Sequence, residues 1–170
     1  MNWRLLPVFF LAIGTSLRAG EPPDDKNSIQ GVWRIDSVAS KKGRSLNFTN
    51  DELHLMELTI KNEQASFRIR LDEVKGPVGP VLEGLVNPLE LTFTLDAKKA
   101  QKEIDFTWKL PTGESKVIKT YTLPGLYKLD GHTLTVSIND GDGWMNRPKD
   151  FSPTENNEYS VFVLKRQNRK

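Results

Sequence analysis

The sequence predicts an all-β fold: a single antiparallel, up-and-down barrel of about eight strands. Apolar and polar residues alternate with a period of two in one segment after another. The joints between these segments are short and rich in Asn, Asp and Gly. Beyond the N-terminal twenty residues, no stretch carries the 3.6-residue periodicity of a three-turn helix, and no βαβ alternation calls for a parallel sheet.

The cleanest segments are Phe67–Leu71, Leu89–Leu95, Ile104–Leu110 and Leu134–Ile138. In Leu89-Glu-Leu-Thr-Phe-Thr-Leu95 the alternation runs seven residues without error, so one face can be buried while the other is wetted. Val32–Val38, Leu55–Ile60, Lys116–Leu129 and Tyr159–Arg166 complete the set of eight. Lys61-Asn-Glu-Gln64 reads as one hairpin turn and Asp130-Gly131 as another. Asp72–Pro88, with Gly76-Pro-Val-Gly-Pro80 inside it, reads as an irregular loop, and Thr49–Leu53 as one helical turn capped by Thr49 or Asn50. Eight strands joined by short links form a meander more readily than a Greek-key sandwich, and a barrel of that size is just wide enough to hold its own side chains or one small ligand.

The N-terminus has its own pattern. Arg4 precedes the apolar run Leu5–Ile13, and the small or polar residues to Gly20 follow. That is the layout of a signal peptide over residues 1–20, with cleavage after Ala19 or Gly20. The apolar run is shorter than the ~20 residues a membrane span needs, so no transmembrane segment is expected and the protein is expected to be exported, periplasmic or extracellular. Residues 21–28 read as a polar linker, 29–166 as the barrel domain and 167–170 as a basic tail. The formal charge of +2 rests on Arg4 and Arg18; from residue 21 onward the chain holds 22 basic and 22 acidic residues. Nothing in that balance points to nucleic acid.

Chemistry is scarce. With no cysteine there is no disulfide, thiolate metal site or cysteine nucleophile, and His54 and His132 are the only imidazoles. No Gly-x-Ser-x-Gly or phosphate-loop fingerprint is present. Asn139–Trp144 has the Asp-Gly character of a calcium loop but lacks the carboxylate at the twelfth position, and it reads as a turn. Neither catalysis nor a metal or cofactor is expected. Asn47-Phe-Thr49 has the form of a glycosylation sequon.

The rings Phe67, Phe93, Phe106 and Trp108 occupy the apolar phase of three alternating strands and therefore point to one interior, where Tyr121 or Tyr127 could offer a hydroxyl that orients a ligand. Trp144, Met145, Pro148 and Phe151 cluster on a loop, which could form a cavity lip with Leu82, Leu85 and Val86, a partner contact, or a cover over the barrel mouth.

Gln30-Gly-Val-Trp33 resembles the first-strand pattern of lipocalins. Further along, Lys102-Glu-Ile-Asp105, Pro124-Gly-Leu-Tyr-Lys-Leu-Asp-Gly131, Thr133-Leu-Thr-Val136, Arg147-Pro-x-x-Phe151 and Val163-Leu-Lys-Arg166 together resemble an uncharacterised lipocalin-like domain family abundant in planctomycete bacteria. The resemblance spans Ile29 to Arg166 and departs from the family pattern at His132, at Ser137 and in the 72–88 insertion. It implies a barrel whose end is closed by Trp33 with Arg166 stacked over the indole. The expected function is binding of a small apolar or amphipathic ligand. The alternative is a structural or protein-interaction domain of the cell envelope with a filled barrel.

Overall fold

A computed structural model describes residues 24–40, 50–70, 88–112, 117–139, 145–154 and 159–168. Eight strands, β1 (Gly31–Ala39), β2 (Met56–Lys61), β3 (Gln64–Ile69), β4 (Leu89–Asp96), β5 (Glu103–Thr112), β6 (Val117–Asp130), β7 (Thr133–Asn139) and β8 (Tyr159–Arg166), follow one another in chain order around a closed barrel. Every neighbouring pair is antiparallel, including β8 with β1. The up-and-down barrel is therefore as the alternation predicts, and closure leaves no open sheet edge to cap. Two helical turns, α1 (Asp25–Ser28) and α2 (Asn50–Leu53), are added to it. No helix among the described residues is long and apolar enough to cross a membrane.

Local chemistry fixes the register. The β2–β3 turn contracts to Asn62-Glu63, because Lys61 and Gln64 already pair; Asn62 takes φ 59°, a left-handed conformation that asparagine tolerates. The β6–β7 loop is Gly131-His132, with Gly131 at φ 54°. In β1 the register with β8 shifts between Ile35 and Ser37. That bulge places Val38, like Trp33 and Ile35, on the apolar side, where strict alternation would have turned it outward.

Three expectations are corrected. β3 begins at Gln64, three residues before the alternating run at Phe67, because the tight turn lets Ala65 pair with Ile60 inside the barrel. Leu71 and most of the 72–88 loop lie outside the described residues, as do the sequon and Trp144. Residues 25–28 do not serve as a linker: they form α1, capped by the Asp24 side chain and docked against one end of the barrel. The segment 145–154, expected near the barrel mouth, runs instead along the outer wall of β5, β6 and β7. Arg147 donates to the Gly125 carbonyl (2.6 Å) and to Asp105 (2.7 Å), Ser137 donates to the Asp150 carbonyl (2.9 Å), and Lys128 lies 4.3 Å above the Phe151 ring. Gly125 is needed there because a Cβ would stand 2.9 Å from the Ser137 backbone oxygen.

Candidate functional site

The inward side chains sort into two layers along the barrel axis. The layer beside the hairpin turns at Asn62 and Gly131 is solid: Trp33, Ile60, Ala65, Phe93, Ile104, Tyr127 and Leu134 are all buried and pack into one cluster with Ile29. The layer toward the opposite end lines an open cavity of about 270 Å³. Phe67, Phe106 and Trp108 line it, together with aliphatic side chains such as Met56, Leu58, Leu123 and Val136. Every lining residue is apolar and no polar surface faces the space. Alternation produces this lining directly, since each strand turns its polar set outward.

Three of the six residues expected around a ligand do not line the chamber. Phe93 lies one layer deeper, in the packed floor. Tyr121 pairs with Trp108 across β5 and β6 and stacks on it, with ring centroids 5.7 Å apart, so it flanks a lining residue on the same face of the sheet. Tyr127 is committed elsewhere: its hydroxyl donates to Asp25 at 2.7 Å. Burial, and then the hydrogen bond to Asp25, push the Tyr127 phenol well above its ordinary range. The hydroxyl is thus a fixed structural donor at the plugged end, not a free group for a ligand. Phe151 is likewise away from the chamber, on the outer wall.

The plugged end is built from three contacts. Trp33 is fully buried and its Nε1 donates to the Ile29 carbonyl at 2.8 Å. Arg166, its register partner on β8, lays its guanidinium 4.2 Å from the indole centroid and donates to the Ser28 and Gln30 carbonyls. Gly31 takes φ 133°, and a Cβ there would meet the Arg166 guanidinium at 2.9 Å, which accounts for glycine two residues before the tryptophan. Finally, Asp25 on α1 accepts from both Lys102 (2.6 Å) and Tyr127. The Asp25–Lys102–Tyr127 contact was not foreseeable from periodicity, because its members are 77 and 102 residues apart in sequence.

Among the described residues, no group of three or more His, Asp or Glu side chains is placed to hold a metal ion. The geometry defines a lipocalin-like class of structure: an eight-stranded barrel plugged at one end, with an apolar chamber in the other half. No protein-family model matches the chain, and comparisons with curated proteins and with solved structures return no significant match.

Proposed function

We propose that this protein is an exported binding module that holds a small apolar molecule, or the apolar part of an amphipathic one, in the barrel chamber. The observation that carries the reading is the chamber itself: about 270 Å³ with an entirely apolar lining. An apolar cavity of about 150 Å³ suffices to bind benzene, so this space takes a ligand somewhat larger than one aromatic ring. With no polar group on the wall, affinity comes from removing hydrocarbon from water, and any polar group of the ligand stays outside the chamber. A fully packed structural barrel is less consistent with a void of this size.

Octanol serves as a probe. Because Trp108 lines the chamber, saturating octanol is expected to change its emission, and the change should vanish in Trp108→Phe. At a hundredfold excess over Kd the ligand should add about 2.7 kcal/mol of stability. Val136→Phe, which places a ring in the void, should remove both responses while the variant stays folded by circular dichroism. An unchanged octanol response in that variant would place binding somewhere other than the chamber.

Export is part of the same proposal, and it rests on the pattern of residues 1–20. The exported protein is expected to begin near Gly20 or Glu21, and intact mass should show the loss of about twenty residues. Recovery of the uncleaved chain in a membrane fraction would contradict it. The motif residues Trp33, Gly125, Arg147 and Arg166 support the barrel reading, since each makes a specific contact that holds it together.

A further inference from the structure

We infer that Phe93 is the specificity-determining partition of the chamber, the residue that sets how long a ligand can be. The inference rests on the chamber reading above and adds the size limit to it. Phe93 faces Phe106 directly across β4 and β5. Phe106 lines the chamber, and Phe93 borders a separate cleft of about 960 Å³ between α1 and the start of the β4–β5 hairpin. Residues directly opposite in an antiparallel pair have Cβ atoms about 5 Å apart. The two rings are thus neighbours, Phe106 on the chamber and Phe93 on the cleft.

β4 loses its β3 neighbour at this point for a topological reason. β3 starts at Gln64, opposite Thr92, so β4 runs on past the end of its neighbour. The Phe93 amide still reaches the Glu63 carbonyl (3.1 Å), but beyond it the place of a β3 residue is taken by α1, held by Lys26–Glu63 and Lys102–Asp25. Phe93 also differs from the other two rings of the floor. Trp33 is tied through its Nε1 and Tyr127 through its hydroxyl. Phe93 has no polar atom, is held by packing alone, and borders the cleft. Removing it joins the chamber to the cleft.

The probes are normal alkanols from hexanol to dodecanol, with binding measured by calorimetry on the exported protein. In the wild type each added methylene should tighten binding about fourfold. The gain should stop at roughly ten carbons, scaling from the cavity that holds benzene. Phe93→Ala should leave hexanol binding within twofold and carry the gain past that break, so that dodecanol binds on the order of tenfold more tightly than to the wild type. Phe93→Leu, a milder truncation that keeps an apolar filler, should move the break by a smaller amount and serves if the alanine variant does not fold. Leu95→Ala changes the same cleft one inward position further from the chamber and should leave the break where it is. A break that stays at the wild-type length in both Phe93 variants, or that moves equally in Leu95→Ala, overturns the partition and leaves the chamber reading intact. A wild type that binds none of the alkanols overturns both.

Discussion

Trp33→Ala is expected to destabilise the barrel by about 3–5 kcal/mol, the range for deleting a large aromatic side chain from a core. Trp33 is fully buried, sits in the solid layer of the interior, and anchors the segment before β1 through its bond to the Ile29 carbonyl. Its loss empties the floor of the chamber and frees Arg166 of its stacking partner. Arg166→Ala should cost less, since the guanidinium is only partly buried and a cation over an indole contributes about 0.5–2 kcal/mol. Arg166 also donates to the Ser28 and Gln30 carbonyls, so part of its effect passes through α1 and should survive in the Trp33→Ala background. Urea denaturation of the four proteins of a double-mutant cycle measures the direct term. A coupling of about 1 kcal/mol is expected; a coupling of zero would mean that the 4.2 Å contact contributes nothing to stability.

How much of this was legible in the sequence depends on the range over which each feature is encoded. Strands with uninterrupted alternation, such as Leu89–Leu95 and Ile104–Leu110, are local signals, and they appear in the structure with nearly the same bounds. Alternation also separates inside from outside, and so finds the lining residues Phe67, Phe106 and Trp108. It cannot tell how deep an inward residue lies. Phe93 has the same phase as Leu91 and Leu89, yet it falls in the packed floor while those two line the chamber, because depth is set by strand tilt and by where β3 begins. Tyr127 shows the same limit: its phase is inward, but its hydroxyl is claimed by a residue of the N-terminal segment. Asp25 carried no sequence signal, since Glu21-Pro-Pro-Asp-Asp-Lys-Asn27 is polar throughout and a buried acid looks like a solvated one until its partners are known. The loop from Met145 to Thr154 was misplaced for a related reason. Its apolar residues suit a cavity lip, a cover over the mouth or a partner contact equally well, whereas Arg147 and Phe151 find their partners, Asp105 and Lys128, on the outer wall.

Asp25→Ala is expected to release α1 and to lower stability by about 3 kcal/mol, because one substitution strands two groups. The Tyr127 hydroxyl is buried and loses its acceptor, and the Lys102 ammonium loses a carboxylate 2.6 Å away. Lys102 is one-third exposed and regains water, which keeps the loss below the upper range for buried pairs. Tyr127→Phe should cost nearer 1 kcal/mol, since Asp25 keeps its lysine. Limited proteolysis should cut between residues 24 and 30 in Asp25→Ala and spare the wild type. The same site makes a signature at alkaline pH. The folded Tyr127 phenol titrates above its unfolded value of about 10. Below that pH both states keep the proton and the full stability is present. Above it the unfolded chain gives up its proton while the folded one holds it, so stability falls as pH rises, by up to about 1.4 kcal/mol per pH unit until the folded phenol itself ionises. Absorbance at the phenolate band should therefore show one of the three tyrosines ionising only with alkaline unfolding, and that delayed step should be missing in Tyr127→Phe. If all three ionise reversibly while the barrel remains folded, Tyr127 is not sealed beneath α1, and the plug is looser than its hydrogen bonds imply.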